Sequence, residues 1–132
     1  MPKKSMSLFF LVFLISLLLS FATVSAQVNT LTYRFIKIGQ EKVHTEMIKG
    51  EAGNPWQYRV LADYMLEPLI GFAREAGIAR PVPSTFIAFR FMQNLLIFVA
   101  AFYYYRKLGL PKFFSFLGMS ILAWMMGQAF YD

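Results

Sequence analysis

The stretch FIAFRFMQNLLIFVAAFYYY, residues 86–105, decides the fold of this chain. A run of this length forms an α-helix about 30 Å long, which matches the hydrocarbon thickness of a bilayer. We therefore predict a transmembrane helix here, and the segments on either side are placed relative to it.

The composition agrees with a membrane protein and excludes several other classes. Of the 132 residues, 58% are hydrophobic and 18% are aromatic, which is more than an ordinary globular domain carries. The chain has no cysteine and a single histidine, His44, so disulfides, thiolate metal sites and histidine clusters are excluded. The net charge is +6, but no nucleic-acid-binding motif accompanies it. We predict no metal, no cofactor and no nucleic-acid partner.

Residues 1–26 have the form of a membrane-targeting segment. Lys3 and Lys4 precede an apolar run over residues 6–21, and small residues follow up to Ala26. Two interpretations stay open, a cleavable signal peptide and an uncleaved signal anchor. Both place the chain from residue 27 onward on the external side of the membrane.

Residues 27–84 form the only segment polar enough to lie in water, and we predict an external loop. Within it, residues 31–38 alternate loosely in hydropathy and fit either a short strand or the start of a helix. The sequence GEAG at residues 50–53 predicts a turn.

An amphipathic helix is predicted at residues 54–76 of this loop. Asn54 can cap the helix, Pro55 suits its first position, and apolar residues then recur every three or four positions. We expect this helix to lie on the membrane surface or to pack against other spans, because it is too amphipathic to cross. We expect Pro68 to kink it or divide it in two, and Gly77 to end it.

Residues 85–132 are predicted to form a hairpin of two transmembrane helices, which residues 81–83, Pro-Val-Pro, approach in an extended conformation. The two apolar runs are joined by RKLGLPK, residues 106–112, which has three basic residues and no acid. Such a turn is typical of the cytoplasmic side, where Lys3 and Lys4 also fall if the first helix is uncleaved. The predicted fold class is therefore an all-helical integral membrane protein, with two or three transmembrane helices plus the external amphipathic helix.

The most informative polar residues of the deciding stretch are Arg90, Gln93 and Asn94. Their spacing places them on one side of a helix, about one turn inside the outer boundary of the membrane. They are candidates for binding a lipid phosphate or headgroup, since a guanidinium and two amides suit an anionic oxygen. Two alternatives are an Arg90 that snorkels to the headgroups and an ion pair with an acid elsewhere.

The loop acids offer few candidates for catalysis, of which we name Glu46 and Asp63. Asp63 and Glu67 lie four residues apart on one helical face. We nevertheless expect both to be solvated charges that pair with Arg59 and Arg74. Glu41, His44 and Glu46 lie close together in the sequence, as a metal or proton-transfer site would require, but we expect these side chains to be solvated as well.

One resemblance bears on function. The segment NPWQYRVL, residues 54–61, followed by an aromatic-rich span containing Phe89-Arg90, resembles the N-terminal part of uncharacterised bacterial membrane proteins related to the GT-C glycosyltransferases. This resemblance implies a larger polytopic protein that takes sugar from polyprenyl-phosphate donors outside the membrane, using a carboxylate of the first external loop. Glu46 and Asp63 are the candidates for that role. In the enzymes that the chain resembles, an acidic residue closely follows the first span, whereas the first acid here, Glu41, lies well beyond Ala26.

The alternative function is a small non-catalytic membrane subunit or assembly factor. In either case the expected partners are membrane lipids and further transmembrane helices, of the same protein or of another. The expected location is the plasma membrane of a bacterium, as a multi-pass protein.

Overall fold

The computed structural model describes residues 3–30, 32–51, 53 and 60–128. Within these ranges the chain is all-helical, as predicted, and has no strand. Its helices are α1 (Lys3–Thr30), α2 (Thr32–Lys49), α3 (Val60–Glu75), α4 (Pro81–Lys107) and α5 (Lys112–Gln128). Two segments, Ser7–Asn29 and Pro81–Lys107, are long and apolar enough to cross a membrane.

The helix boundaries answer several of the sequence predictions. The ambiguous segment 31–38 is helical from Thr32 onward, and α1 continues past Ala26 without interruption. The predicted amphipathic helix at 54–76 corresponds to α3, while its cap residues Asn54 and Pro55 lie outside the described residues. The third predicted apolar run, 113–131, corresponds to α5 as far as Gln128.

Two expectations concern prolines. Division of the helix at Pro68 is wrong, because α3 continues through it from Val60 to Glu75, and a kink there stays a prediction. Leu66 and Ile70, on either side of Pro68, are both buried in one apolar cluster, and this packing holds the two halves together. Residues 81–83 are not extended, because α4 begins at Pro81. The first turn of a helix tolerates proline, since its N–H groups have no acceptor within the helix.

Gly77 ends α3 as predicted, and Gly109 ends α4 in the same way. Each has a positive φ, 73° and 88° respectively, a conformation that glycine adopts at little cost. The N–H of Gly77 donates to the carbonyl of Arg74 at 3.0 Å, and the next N–H, that of Ile78, reaches back to Ala73 at 3.0 Å. This Schellman pair satisfies carbonyls that the end of the helix leaves without partners.

The chain divides into two compact units. The first unit, Met1–Thr30 with Arg90–Asp132, contains α1, α5 and most of α4. Its core is a cluster of buried apolar side chains contributed by all three helices. The fully buried members are Val12 of α1, Phe98 and Phe102 of α4, and Met119 of α5.

The second unit, Leu31–Phe89, contains α2, α3 and the first part of α4. Leu66 and Ile70 of α3 pack with Val82 of α4, and Phe86 and Phe89 border this cluster. The apolar core of the second unit is therefore small. The contacts between α2 and α3 include polar side chains, and these form the candidate site.

Candidate functional site

The candidate site is a cluster of three ionisable side chains in the second unit. His44 comes from α2, and Asp63 and Glu67 come from α3. The Nδ1 atom of His44 lies 2.7 Å from Oδ1 of Asp63, and its Nε2 atom lies 2.7 Å from Oε2 of Glu67. Because residues four apart share one face of a helix, α3 presents both carboxylates to the same ring. We call these three residues the histidine–carboxylate cluster.

Burial separates the members of this cluster. His44 is 3% exposed and Asp63 is 5% exposed, whereas the side chain of Glu67 is 39% exposed. The expectation that His44 and Asp63 are solvated is therefore wrong. Each ring nitrogen has a carboxylate partner from α3, so the imidazole can leave water without leaving a polar atom unpaired. Glu67 is the member of the cluster that reaches solvent.

Two further side chains border the cluster. Nη1 of Arg74 lies 3.7 Å from Oε1 of Glu67, which confirms the predicted pairing of Arg74 with a carboxylate of α3. Arg59, the other predicted partner, lies outside the described residues. On the apolar side, the ring of Phe86 stands edge-on to His44, with centroids 5.7 Å apart at 75°. The cluster therefore lies between an apolar wall and an exposed cation.

The geometry suits holding protons better than holding a metal. A metal requires lone pairs that converge on one point, but here the imidazole stands between the two carboxylates and bonds to both. Among the described residues, no group of three His, Asp or Glu side chains is arranged to hold a metal ion. A histidine oriented by one carboxylate and linked through a second to solvent is instead an arrangement for accepting and releasing a proton.

Glu46, the other candidate catalytic residue, has a different partner. Its Oε1 lies 3.7 Å from Nζ of Lys42, one turn earlier on α2, and both side chains are well exposed. Such a pair contributes only about 0.3–0.5 kcal/mol to helix stability. Glu46 is thus a surface residue of α2, as expected for a solvated charge. The structure places only Asp63, of the two candidates, in the histidine–carboxylate cluster.

The predicted lipid-phosphate residues of α4 have different surroundings. Gln93 is exposed, Arg90 is half-buried, and Asn94 is only 3% exposed. The Nδ2 atom of Asn94 is buried and has no hydrogen-bond partner. Although helical spacing puts the three residues on one side of α4, Asn94 does not share the exposure of Gln93. Phosphate or headgroup binding by this group stays a prediction.

The sequence indicated only part of this site. The four-residue spacing of Asp63 and Glu67 was a usable signal, and their joint placement on one helical face is correct. The partner was missed because His44 is 19 residues from Asp63 along the chain, and no local pattern marks that contact. A second missed pattern is a set of uncharged polar residues in α1, which follow one another at intervals of four, three and four positions. Its members Ser16, Ser20, Thr23 and Gln27 are all buried.

Comparison with protein-family models, with curated proteins and with solved structures gave no match. The resemblance to the GT-C glycosyltransferases therefore rests on residues 54–61 and the following span alone. Function has to be argued from the geometry of the described residues.

Proposed function

We propose that this chain is an integral membrane protein in which α1, α4 and α5 cross the bilayer and α3 lies at its outer surface. Its proposed role is to supply a helical membrane module that packs against further transmembrane helices. The observation that carries this proposal is the distribution of side chains in the first unit, where many large apolar residues are exposed while uncharged polar residues of α1 are buried beside the apolar core. A protein dissolved in water has the opposite arrangement.

The outward surface of the first unit is strongly apolar. Large side chains on α1 and α5 are between 40% and 72% exposed. On α1 these are Phe9, Phe10, Leu11, Phe13, Leu14, Leu18 and Phe21, and on α5 they are Phe113, Phe114, Leu117, Ile121, Trp124 and Met125. A surface of this kind is stable against lipid chains, whereas in water it would drive association.

The interior of the first unit contains the uncharged polar residues of α1. Nε2 of Gln27 donates to the carbonyl of Met126 at 2.9 Å, and Oγ1 of Thr23 lies 3.5 Å from the carbonyl of Ala123. The Oγ of Ser20 donates to the carbonyl of Ser16 at 2.7 Å within α1. Hydrogen bonds and small residues at helix contacts are the means by which helices associate in lipid, where the hydrophobic effect does not favour association.

The proposed position of α3 rests on its outward face and on its link to α4. Five apolar side chains are more than half exposed on it, namely Leu61, Tyr64, Met65, Leu69 and Phe72. Its charged face, with Asp63 and Glu67, is turned to α2 instead. Residues 76–80 reach at most about 20 Å, so the end of α3 stays close to the start of the proposed span at Pro81. An apolar face held there is suited to the headgroup boundary.

The proposed packing against further helices is supported by Gln93. This side chain is exposed on α4, within the segment that is apolar enough to span. An amide facing hydrocarbon lacks hydrogen-bond partners, and a neighbouring helix can supply them. The partner helices would belong to the same polytopic protein or to a separate one.

The absence of cysteine makes the proposed topology directly testable. Single-cysteine variants Thr45→Cys, in α2, and Leu108→Cys, in the turn after α4, are expected to fractionate with membranes. A membrane-impermeant maleimide should label Thr45→Cys in intact cells, and Leu108→Cys only after the membrane is opened. Recovery of the unmodified chain in the soluble fraction, or labelling of both variants in intact cells, would contradict the proposal.

A second candidate function is the enzyme that the GT-C resemblance implies. The observation that favours it is that Asp63, one of the two candidate loop carboxylates, lies beside an imidazole, which is a suitable pairing for acid–base chemistry. In this proposal Arg90, Gln93 and Asn94 hold the lipid phosphate.

The test is sugar transfer from labelled polyprenyl phosphate by membranes containing the unmodified chain, Arg90→Ala, Asp63→Asn and Glu46→Gln. Loss of transfer in Arg90→Ala, and in one of the two carboxylate variants, is expected. Glu75→Gln is the control, because Glu75 is an exposed residue of α3. Equal transfer by all the variants would exclude the enzyme.

A further inference from the structure

We propose that the histidine–carboxylate cluster is a proton-binding site that fastens α2 to α3 and releases them as pH rises. This inference does not depend on the proposed membrane role. It rests on the two 2.7 Å contacts of His44, on the burial of His44 and Asp63, and on the exposure of Glu67. Its ligand is the proton.

The number of bound protons follows from the two contacts. A nitrogen–oxygen distance of 2.7 Å is that of a charge-assisted hydrogen bond, and each such bond contains one proton. A neutral imidazole carries one N–H and two ionised carboxylates carry none, so that state can form only one of the two bonds. The closed cluster therefore holds two protons. In the proposed closed state the second proton lies on the ring, so that an imidazolium donates to both carboxylates and the net charge is −1.

Removal of one proton leaves two lone pairs facing each other in one of the contacts. Glu67 is the group that can move away, because its side chain is 39% exposed and water can solvate it. Asp63, with a side chain 7% exposed, has no such route without opening the helix contact. The contact between His44 and Glu67 therefore opens first. Asp63 keeps the remaining N–H, and α2 and α3, then joined by this one bond of the cluster, separate more readily.

The direction of the pH effect follows from proton linkage. The closed cluster holds a proton that separated helices would lose as pH rises, so the closed form binds more protons in that range. Stability of the contact between α2 and α3 then falls with increasing pH. At acid pH the open form binds more protons than the closed form, because its separated carboxylates become protonated. The contact therefore also weakens as pH falls. The closed form is favoured between these two limits.

The charged groups around the cluster do not change the direction of this pH effect on the contact between α2 and α3. On α3, Nη1 of Arg74 lies 3.7 Å from Oε1 of Glu67. On α2, Glu41 lies three residues before His44, and Lys42 and Glu46 pair with each other. The part of α4 within the second unit, residues 81–89, contains no ionisable side chain, and it contributes Phe86 to the cluster.

Because His44 is the sole histidine, its ring nitrogens give unambiguous NMR signals in the full chain, for example in detergent micelles. We expect both ring nitrogens to be bonded to hydrogen while the cluster is closed, and Nε2 to lose its proton as rising pH opens the cluster. Spin labels at Thr45→Cys on α2 and Ala62→Cys on α3, both exposed sites, should report the helix separation. The ratio of open to closed molecules should then rise about tenfold per pH unit, as loss of one proton requires.

The variant Glu67→Gln separates this proposal from a merely structural contact. A glutamine amide can bond to Nε2 whether that nitrogen has a hydrogen or a lone pair, so this variant needs only the Asp63 proton. Its helix separation should stay unchanged at the alkaline pH values where the unmodified chain opens. Glu46→Gln removes the same charge from the exposed pair on α2 and should open like the unmodified chain. A histidine with one ring N–H throughout, or equal pH profiles for Glu67→Gln and Glu46→Gln, would overturn the proposal.

Discussion

The two units of this protein bury polar groups in different ways. In the first unit the buried polar side chains are uncharged, and Ser20, Thr23 and Gln27 among them bond to backbone carbonyls. In the second unit the buried polar side chains include His44 and Asp63, which bond to each other. Desolvation costs an uncharged polar group much less free energy than a charged group, which has to be buried with a matched partner. The comparison indicates that the second unit depends on single residues far more than the first does.

The largest effect is expected for Asp63→Ala. Removing this carboxylate leaves Nδ1 of the buried His44 ring without a partner, and breaking a buried ionic pair costs about 3–5 kcal/mol. Hydrogen exchange of the α2 amides should accelerate by at least about 100-fold, since each 1.4 kcal/mol corresponds to about a factor of ten. Glu75→Ala, at an exposed position of the same helix, is the control. Equal exchange in both variants would mean that the pair does not stabilise the second unit.

A smaller effect is expected at the contact between α4 and α5 in the first unit. A Cβ atom placed on Gly118 would lie 2.7 Å from Cε2 of Tyr105, so Gly118→Ala forces that ring to move. Overpacking of this kind costs about 1–3 kcal/mol. Shortening the neighbour in the double variant Gly118→Ala/Tyr105→Ala should remove most of the added cost, as measured by unfolding in a double-mutant cycle. Additive effects of the two substitutions would show that the ring and the glycine are not coupled.

The smallest effect is expected for Gln27→Leu, which tests the first unit where Asp63→Ala tests the second. This substitution removes the hydrogen bond to the carbonyl of Met126, but it also removes Oε1, which is buried without a partner. Hydrogen bonds between helices in membranes contribute only about 0.6 kcal/mol on average. Unfolding in detergent should therefore shift by less than about 1 kcal/mol. A loss as large as that of Asp63→Ala would remove the contrast between the units.

Sequence patterns predicted the parts of this structure that depend on neighbouring residues. The apolar runs, the stop at Gly77 and the pairing of residues on one face of α3 all follow from spacing along a helix. The extended conformation expected at residues 81–83 was wrong because a helix start accepts Pro81 and Pro83. The helix is not divided at Pro68, where Leu66 and Ile70 on either side pack in one apolar cluster.

The candidate site was predicted less well because its key contact is not local. His44 and Asp63 have ordinary surroundings in the sequence, and charged residues on an amphipathic helix are usually solvated. Only the packing of α2 on α3 turns them into a buried pair. Asp63 was expected to face water, yet it is buried, while five apolar side chains of the same helix are exposed, namely Leu61, Tyr64, Met65, Leu69 and Phe72. The period of the pattern was right, and the side that turns inward could not be read from it.

The enclosure of the one histidine gives this protein a built-in chemical reporter. Diethyl pyrocarbonate acylates an imidazole only through a nitrogen that has a free lone pair and is accessible. In the folded chain His44 is 3% exposed and both of its nitrogens are engaged at 2.7 Å. The native protein should therefore resist this reagent, and the rate of acylation at its only histidine should measure how often α2 and α3 separate.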